Sequence, residues 1–276
     1  MEIKSASQIF AILGHADRLS VFRLLMRFAP HGQRPTEIAL MLGLKQNTLS
    51  HHLRDLVSSG LVHVTRQGRA LYYAVDLQTA EALVAYLALD VGRARPDLMP
   101  VVPVRRTGML QDKGPSLNVL FICSGNSARS IMAEVLLRDL GAGRFRAYSA
   151  GTAPARSPNA AALDVLARNG HDLSGLRSKH LQVFQAADAP QMDFVLTVCD
   201  RSAAEDCPPW RGYPIAGHWG LPDPVGNQAS PDADYPVFVQ TYACLRRKVE
   251  AFLALPVTAL DQLSLQTRID AIGVDA

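Results

Sequence analysis

The sequence predicts two domains: a mainly helical N-terminal domain with a β-hairpin wing, then an α/β three-layer sandwich with a parallel sheet. Two short helical patterns joined by a glycine turn, followed by a two-strand pattern, predict the first domain. Alternating strand and helix patterns after Leu117 predict the second. At 276 residues the chain is long enough for two cores. We place the domains at residues 1–92 and 116–256, with a linker at 93–115 and a C-terminal tail at 257–276.

Apolar residues at helical spacing predict the N-terminal helices. Residues 8–28 contain two of them, and Asp17 is the predicted cap of the second. Thr36 is predicted to cap a short third helix that stops at a glycine. A fourth helix is predicted to begin at Gln46 and to end at Gly60, which completes a helix-turn-helix pattern.

The next stretch predicts a β-hairpin and a final helix. Residues 61–66 and 70–75 have the composition of strands, and Gln67-Gly68-Arg69 is the predicted turn between them. The helix predicted at residues 77–89 is apolar on much of its surface. Together with the first helix it offers an apolar face, so we expect a homodimer through the N-terminal domain.

These features resemble the arsenic-repressor (ArsR/SmtB) family of winged-helix regulators over about residues 5–92. The resemblance rests on Leu13–Leu19, Gln46–Leu53 and the hairpin, and it implies operator DNA as a partner. Residues 1–115 carry 14 Lys and Arg against 9 Asp and Glu, which fits a polyanion. The predicted DNA contacts are Gln46, Asn47, Thr48, Ser50, His51 and Arg54 in the major groove, with Arg66 and Arg69 on phosphate.

The sensing sites of that family are not predicted in this domain. No cysteine precedes Cys123, and residues 77–89 contain Glu81 but no histidine. Adjacent His51 and His52 on one helix point about 100° apart, so they form a poor metal pair without further ligands. We therefore predict no metal site and leave the inducer open.

The C-terminal half is organised around one loop, which follows a strand predicted at residues 117–122 and opens a helix. A strand, a tight loop and a helix bring backbone N–H groups together around an anion. Gly125 is expected to supply the unusual dihedral angles, and Arg129 to bind an oxyanion through two hydrogen bonds. The N–H dipoles and Arg129 are expected to lower the pKa of Cys123 and favour its thiolate. The predicted oxyanion-binding residues are Ser124, Gly125, Asn126, Ser127, Ala128, Arg129 and Ser130.

A buried structural cysteine before an ordinary turn is the alternative for Cys123, and the strand–loop–helix context disfavours it. Cys199 also follows a predicted strand, and Cys207 comes eight residues later. A zinc site built from these two cysteines and His218 lacks a fourth ligand. Three thiols, one of them activated, instead suit a disulfide relay. Cys244 is expected to be a packed core thiol in a closing helix.

Residues 117–255 resemble the low-molecular-weight tyrosine phosphatase fold, in its thioredoxin-coupled arsenate reductase branch. The matching segments are 123–130, 132–134, 148–151, 198–200, 207–208 and 218–224. The resemblance implies that Cys123 attacks arsenate, that Asp223 is the general acid, and that Cys199 and Cys207 complete the relay. It also implies an external thiol reductant, thioredoxin or a small thiol, and no bound cofactor.

The sequence departs from these families in three places. Ala128 stands where some relatives have another cysteine, and Val225-Gly226-Asn227 stand where phosphatases usually have aromatic residues. Some relatives also bind potassium behind the loop. Asn126, Glu134 and Ser149 match three of the potassium ligands, whereas Arg177 and Lys179 fall on the other two positions. We predict that the Lys179 ammonium replaces the ion.

The combined prediction is a cytoplasmic regulator fused to an arsenate reductase. The N-terminus does not have the pattern of a signal peptide, no apolar run reaches membrane-spanning length, and four cysteines are too few for a disulfide scaffold. Two alternatives remain. One is a tyrosine phosphatase fused to a DNA-binding domain, and the other is a repressor that senses oxyanions without turnover.

Overall fold

The computed structural model describes residues 1–95, 116–204, 210–225 and 231–274, without the side chains of 231–234. The chain divides into two compact units, Met1–Val102 and Pro103–Ala276. Most of the predicted linker and Cys207 lie outside the described residues. In the described part, every helix is too short or too polar to cross a bilayer.

The first unit has the predicted order of helices and strands. It contains α1 (Ile3–Leu13), α2 (Ala16–Phe28), α3 (Pro35–Leu42), α4 (Gln46–Ser58), β1 (Val62–Gln67), β2 (Ala70–Val75) and α5 (Leu77–Ala85), which continues as a π-helical segment (Tyr86–Val91). The strands pair antiparallel, and Gln67 opposite Ala70 closes the hairpin. Leu25, Ile38 and Leu53 are fully or almost fully buried, so α2, α3 and α4 share one core.

Two predicted helix caps are wrong. His15, rather than Asp17, caps α2, and its Nδ1 accepts the Asp17 N–H at 3.2 Å. α3 begins at Pro35, before Thr36, because proline has the φ of the first helical position and needs no N–H partner. The Arg34 N–H donates instead to the Glu37 carboxylate at 2.9 Å.

The second unit is a three-layer α/β sandwich, as predicted. Its elements are β3 (Leu117–Cys123), α6 (Arg129–Leu140), β4 (Phe145–Gly151), α7 (Ala160–Arg168), a 3-10 turn (Leu181–Phe184), β5 (Phe194–Thr197), α8 (Asp200–Ala204), β6 (Ile215–His218), α9 (Pro231–Leu253) and α10 (Gln262–Val274). The strands lie in the order β4-β3-β5-β6 and pair parallel. The chain leaves β3 toward β4 on one side and later returns to β5 on the other. The loop after β3 therefore lies at the topological switch point, where open parallel sheets bind ligands.

Both faces of the sheet are buried. Alternate residues of β3 point to opposite sides and enter two different cores. Val119 and Phe121 belong to a large core that includes residues of α6, α7, α9 and α10. Leu120 and Ile122 pack with Leu181 in a smaller core on the other face. Cys123 follows the first set, so its side chain lies on the face of the larger core.

The segment predicted only as a C-terminal tail, residues 257–276, contains a packed helix. Residues 262–274 form α10, and its Leu265, Ile269 and Ile272 are buried in the larger core. The indole N–H of Trp219 donates to the Ile269 carbonyl at 3.2 Å. Lys248 of α9 donates to the Ile272 carbonyl at 2.7 Å. The tail is thus part of the second unit.

Candidate active site

The loop between β3 and α6 is held from outside by its carbonyl groups. Backbone N–H groups of Ala153, Ala155 and Asn159 donate to the carbonyls of Ser124, Gly125 and Ser127 at 2.8–2.9 Å. Because C=O and N–H point in opposite directions across a peptide unit, these contacts turn the loop N–H groups toward its concave side. This is the geometry of an anion-binding loop.

Asn126, not Gly125, takes the unusual backbone conformation of the loop. Asn126 has φ = 42°, whereas Gly125 is outside the left-handed region. The Asn126 amide is fully buried and donates to Ser130 Oγ at 2.9 Å and to Ser149 Oγ at 2.8 Å. It also accepts the Lys179 N–H at 2.7 Å. These three hydrogen bonds hold a conformation that is costly for a residue with a Cβ.

Burial raises the pKa of the Cys123 thiol, which contradicts the expected lowering. The side chain is 2% exposed, so the loss of hydration of the thiolate is the largest influence. Ser130 and Arg129 act in the opposite direction. The Asn126 N–H donates to Cys123 Sγ at 3.1 Å, and Ser130 Oγ lies 2.9 Å from it. Since Ser130 Oγ already accepts from Asn126, its own proton is available for the sulfur.

Arg129 is fixed at the floor of the site by two groups. Its Nη1 donates to the Leu221 carbonyl at 2.9 Å, and its Nη2 lies 3.1 Å from Asp223 Oδ2. The Asp223 side chain is 60% exposed, so this carboxylate remains open to an incoming oxyanion and to water. The positioning carbonyl of Leu221 has no sequence signal, because any residue supplies a carbonyl.

Cys199 shares one cavity of about 420 Å³ with Cys123, Arg129 and Asp223. The lining also includes Ser124, Gly125, Ser127, Ala128, Asp200, Arg201 and Pro222. Asn126 and Ser130 are fully buried and are not part of this lining. Cys199 follows β5, which pairs with β3, so two adjacent parallel strands carry the two thiols to the same edge. Cys199 Sγ lies 3.6 Å from Ser124 Oγ and 3.2 Å from Ser202 Oγ.

Thr197, His218 and Asp200 form a chain of polar contacts beside Cys199, and of these the sequence analysis weighed only His218 as a zinc ligand. His218 Nδ1 is 2.8 Å from Thr197 Oγ1, and His218 Nε2 is 3.1 Å from Asp200 Oδ1. Both ring nitrogens of His218 are thus engaged, and Asp200 extends this chain into the cavity lining. Cys244 is a partly buried thiol of α9 outside the cavity, packed against the larger core.

Comparison with known proteins accounts for both units. The sequence profile of the low molecular weight phosphotyrosine protein phosphatase family matches residues 118–264, more than half of the chain. The chain belongs to this family. A second profile, described as a helix-turn-helix domain, matches residues 13–65, so the phosphatase-family unit follows a helix-turn-helix domain in one chain.

Curated relatives of the phosphatase-family unit include arsenate reductases. A glutaredoxin arsenate reductase of Synechocystis sp. is 31% identical over 137 residues, which are 49% of this chain and 95% of the relative. An arsenate reductase of Bacillus subtilis is 30% identical over 120 residues, 44% of this chain and 83% of the relative. A solved structure of an arsenate reductase in the phosphate binding state is 30% identical and covers 50% of this chain and 97% of its own, with a TM-score of 0.41.

Behind the loop of this phosphatase-family unit, Lys179 lies where the sequence suggested a replacement for potassium. Its Nζ is 3.5 Å from Glu134 Oε2, and both side chains are largely buried. The Ser149 hydroxyl donates to the same Glu134 oxygen. Asn126 also donates a hydrogen bond to Ser149, so Asn126, Ser149 and Glu134 all contact protein partners. This arrangement does not fit a potassium ion.

The predicted DNA contacts lie on one helix and on the hairpin. One face of α4 is buried and the opposite face is exposed. The buried residues are Leu49, His52, Leu53 and Leu56. The exposed candidates are Gln46, Asn47, Thr48, Ser50, His51 and Arg54. Arg66 and Arg69 are exposed in and beside the hairpin turn, where Arg66 Nε donates to the Gly68 carbonyl at 3.1 Å. All eight side chains are therefore accessible.

Proposed function

We propose that the C-terminal unit reduces arsenate to arsenite through a cysteine relay. The observation that carries this proposal is the second thiol, Cys199, in the same cavity as Cys123, Arg129 and Asp223. Phosphate-ester hydrolysis at this loop needs one thiol only, whereas reduction by two electrons needs two. The arsenate reductases among the relatives support arsenate as the oxyanion.

In the first step the Cys123 thiolate attacks arsenic and forms a sulfur–arsenic bond. The loop N–H groups and Arg129 hold the three remaining oxygens. One oxygen of arsenate departs as hydroxide and takes a proton from Asp223, so that it leaves as water. The contact between Arg129 and Asp223 at 3.1 Å keeps acid and anion-binding group on the same side of the sulfur.

In the second step Cys199 attacks the Cys123 sulfur. The sulfur–arsenic bond breaks, and its electron pair goes to arsenic, which leaves as arsenite. The two cysteines lose two electrons and form a disulfide. Cys207 then attacks Cys199 and frees Cys123. An external thiol reductant, thioredoxin or a glutathione-dependent system, reduces the Cys199–Cys207 disulfide.

The test measures arsenite formation from arsenate by the full chain with thioredoxin, thioredoxin reductase and NADPH, and separately with glutathione and glutaredoxin. We expect multiple turnover in the wild type and none in Cys199→Ser or Cys207→Ser. Cys244→Ser is the matched control and keeps full turnover, because Cys244 lies outside the cavity.

A single-turnover assay without reductant separates the two steps. Cys207→Ser is expected to form about one arsenite per chain, because Cys123 and Cys199 together supply two electrons. Cys199→Ser is expected to form none. Hydrolysis of an aryl phosphate without arsenate reduction would move the assignment to a phosphatase. Arsenate binding with neither activity would move it to an oxyanion sensor.

We also propose that the N-terminal unit is a regulator of the ArsR type that binds duplex DNA through α4 and the β1–β2 wing. The exposed polar face of α4 and the two wing arginines support this proposal. Each phosphate contact releases counterions, so Arg69→Ala is expected to reduce the salt dependence of DNA affinity by about one unit of slope. Arg146→Ala in β4, also exposed, is the charge-matched control. If the salt dependence of DNA affinity is unchanged in Arg69→Ala, Arg69 of the wing does not contact a DNA phosphate.

A further inference from the structure

The first unit contains a cluster of metal-ligating side chains that the sequence does not reveal. One ligand atom each of His15, Asp17 and His52 lies within 4.8 Å of the others. His15 and Asp17 come from the start of α2, and His52 comes from the buried face of α4. His52 is 35 or more positions from the other two residues, and only the packing of α2 against α4 brings it to them.

His52 has an unusual environment for a buried histidine. It is 7% exposed, and neither of its ring nitrogens has a hydrogen-bond partner. Its Nε2 faces Asp17 Oδ2 at 3.6 Å, which is too long for a hydrogen bond. Its ring lies against the ring of His15, with centroids 4.8 Å apart. Buried polar groups in native proteins normally have a hydrogen-bond partner, so the unpartnered nitrogens of His52 require an explanation, and a bound ion would supply one.

The other two ligands lie at the start of α2 and are more accessible than His52. His15 Nδ1 accepts the Asp17 N–H at 3.2 Å, so this nitrogen carries no proton and its lone pair is used by that hydrogen bond. Coordination would replace only that long, exposed hydrogen bond. Arg18 fixes α2 beside α4, because its Nη1 lies 3.2 Å from Asp55 Oδ2 while its Nε donates to the Ile12 carbonyl at 2.6 Å.

We propose that His15, Asp17 and His52 form a binding site for a divalent ion of the zinc class. Two imidazole nitrogens and one carboxylate oxygen suit Zn²⁺, whereas Mg²⁺ and Ca²⁺ prefer oxygen ligands. Ligand atoms on a tetrahedral zinc ion lie about 3.3 Å apart, given bonds of about 2.0–2.1 Å. The 3.6 Å between His52 and Asp17 is close to this distance. His15 is exposed, which leaves a fourth position for water.

Metal titration of the full chain tests the site, with Zn²⁺ followed by calorimetry and Co²⁺ by visible absorption. We expect the chain to bind Zn²⁺ at this site. The absorption spectrum of bound Co²⁺ should show nitrogen and oxygen ligands and no thiolate charge-transfer band. His15→Gln and Asp17→Asn are expected to weaken Zn²⁺ binding by more than about tenfold, since even outer-shell substitutions typically cost this much. His52→Gln should do the same, but it changes a buried residue. The two more accessible variants keep the test valid if His52→Gln fails to fold.

Two controls exclude other sources of binding. His51→Gln removes the adjacent histidine, which is exposed on a different face of α4, and is expected to leave zinc affinity unchanged. Cys123→Ser with Cys199→Ser and Cys207→Ser removes the thiols of the second unit and is also expected to keep this ion. Zinc binding that survives His15→Gln and Asp17→Asn, that vanishes with the cysteines, or that is undetectable would overturn the proposal.

Discussion

Asn126 and Ser130 control the reactivity of Cys123 from behind the loop. A chain of contacts leads from Lys179 and Glu134 through Ser149 and Asn126 to the Cys123 sulfur. Burial raises the pKa of that thiol and the neighbouring Cys199 acts in the same direction, whereas hydrogen bonds from Ser130 and the charge of Arg129 lower it and favour the thiolate. The sequence predicts both Asn126 and Ser130 as oxyanion-binding, and in the structure the Asn126 N–H and the Ser130 hydroxyl contact the Cys123 sulfur.

Ser130→Ala tests this assignment. Ser130 lowers the pKa of Cys123, so removing its hydroxyl raises that pKa further. The thiolate is the reactive form, and its fraction rises with pH through the pKa. Alkylation of Cys123 by iodoacetamide is therefore expected to slow several-fold at neutral pH, with the pH profile displaced upward. Ser127→Ala, in the same loop, should leave the profile in place; an equal displacement there would contradict the assignment.

Lys179 is predicted to make the activity independent of potassium. Arsenate reduction should proceed at the same rate in potassium and in sodium salts of equal ionic strength, because the ammonium already neutralises Glu134. Potassium activation of the wild type would disprove this.

Lys179→Met should also destabilise the second unit by about 1–3 kcal/mol, since it leaves a largely buried carboxylate without its counter-charge. The double variant Lys179→Met, Glu134→Gln is expected to recover part of that loss in urea unfolding. No recovery would show that the ion pair contributes little.

At the scale of elements, α10 completes the sandwich beyond β6. Gly217 of β6 has no side chain because Ile269 occupies that space: a Cβ there would approach Ile269 Cγ2 to 2.5 Å. Trp219 is fully buried, and its indole N–H is satisfied by the backbone of α10. The helix therefore both covers apolar surface and satisfies a buried donor.

Ile269→Ala is expected to destabilise the second unit by about 2–5 kcal/mol, because it leaves a cavity at a fully buried position. Leu263→Ala on the same helix, at a residue 77% exposed, should change the free energy of unfolding by less than about 0.5 kcal/mol. Urea unfolding followed by tryptophan fluorescence measures both. Similar values for the two variants would show that α10 is not packed on the sheet.

At the scale of the whole molecule, the first unit has large apolar side chains in water at its two terminal helices. Ile3 is 76% exposed and Phe10 39% in α1, and Val84 is 65% exposed in α5. Leu87 and Val91 extend this face into the π-helical segment, with 45% and 61% exposure. These exposed apolar side chains fit the homodimer predicted for this unit, in which a second copy of the chain would bury them.

Val84→Asp is accordingly expected to convert a dimer into a monomer, because a carboxylate cannot be buried unpaired in an apolar interface. Light scattering coupled to gel filtration should show the mass fall by half. Leu40→Asp, at a residue 84% exposed on α3, is the control and should remain a dimer. A monomeric wild type would contradict the proposed interface.

The sequence by itself determined the two domain types, the order of helices and strands, and the identity of the reactive loop. Hydrophobic periodicity is local, and the loop motif follows directly after a strand, so both are visible without a fold. The placement of Cys123 and Cys199 at one edge of the sheet was also predictable, since each follows a strand of a parallel sheet.

Only the tertiary structure decided the properties that depend on distant neighbours. The raised pKa of Cys123 comes from the core packed around it. The conformation of Asn126 comes from two side chains, Ser130 and Ser149, and from the backbone N–H of Lys179. The packing of α10 on the sheet depends on Gly217 in β6. The cluster of His15, Asp17 and His52 depends on the packing of α2 against α4. All of these properties depend on burial and on contacts between residues far apart in the chain, which local sequence patterns do not reveal.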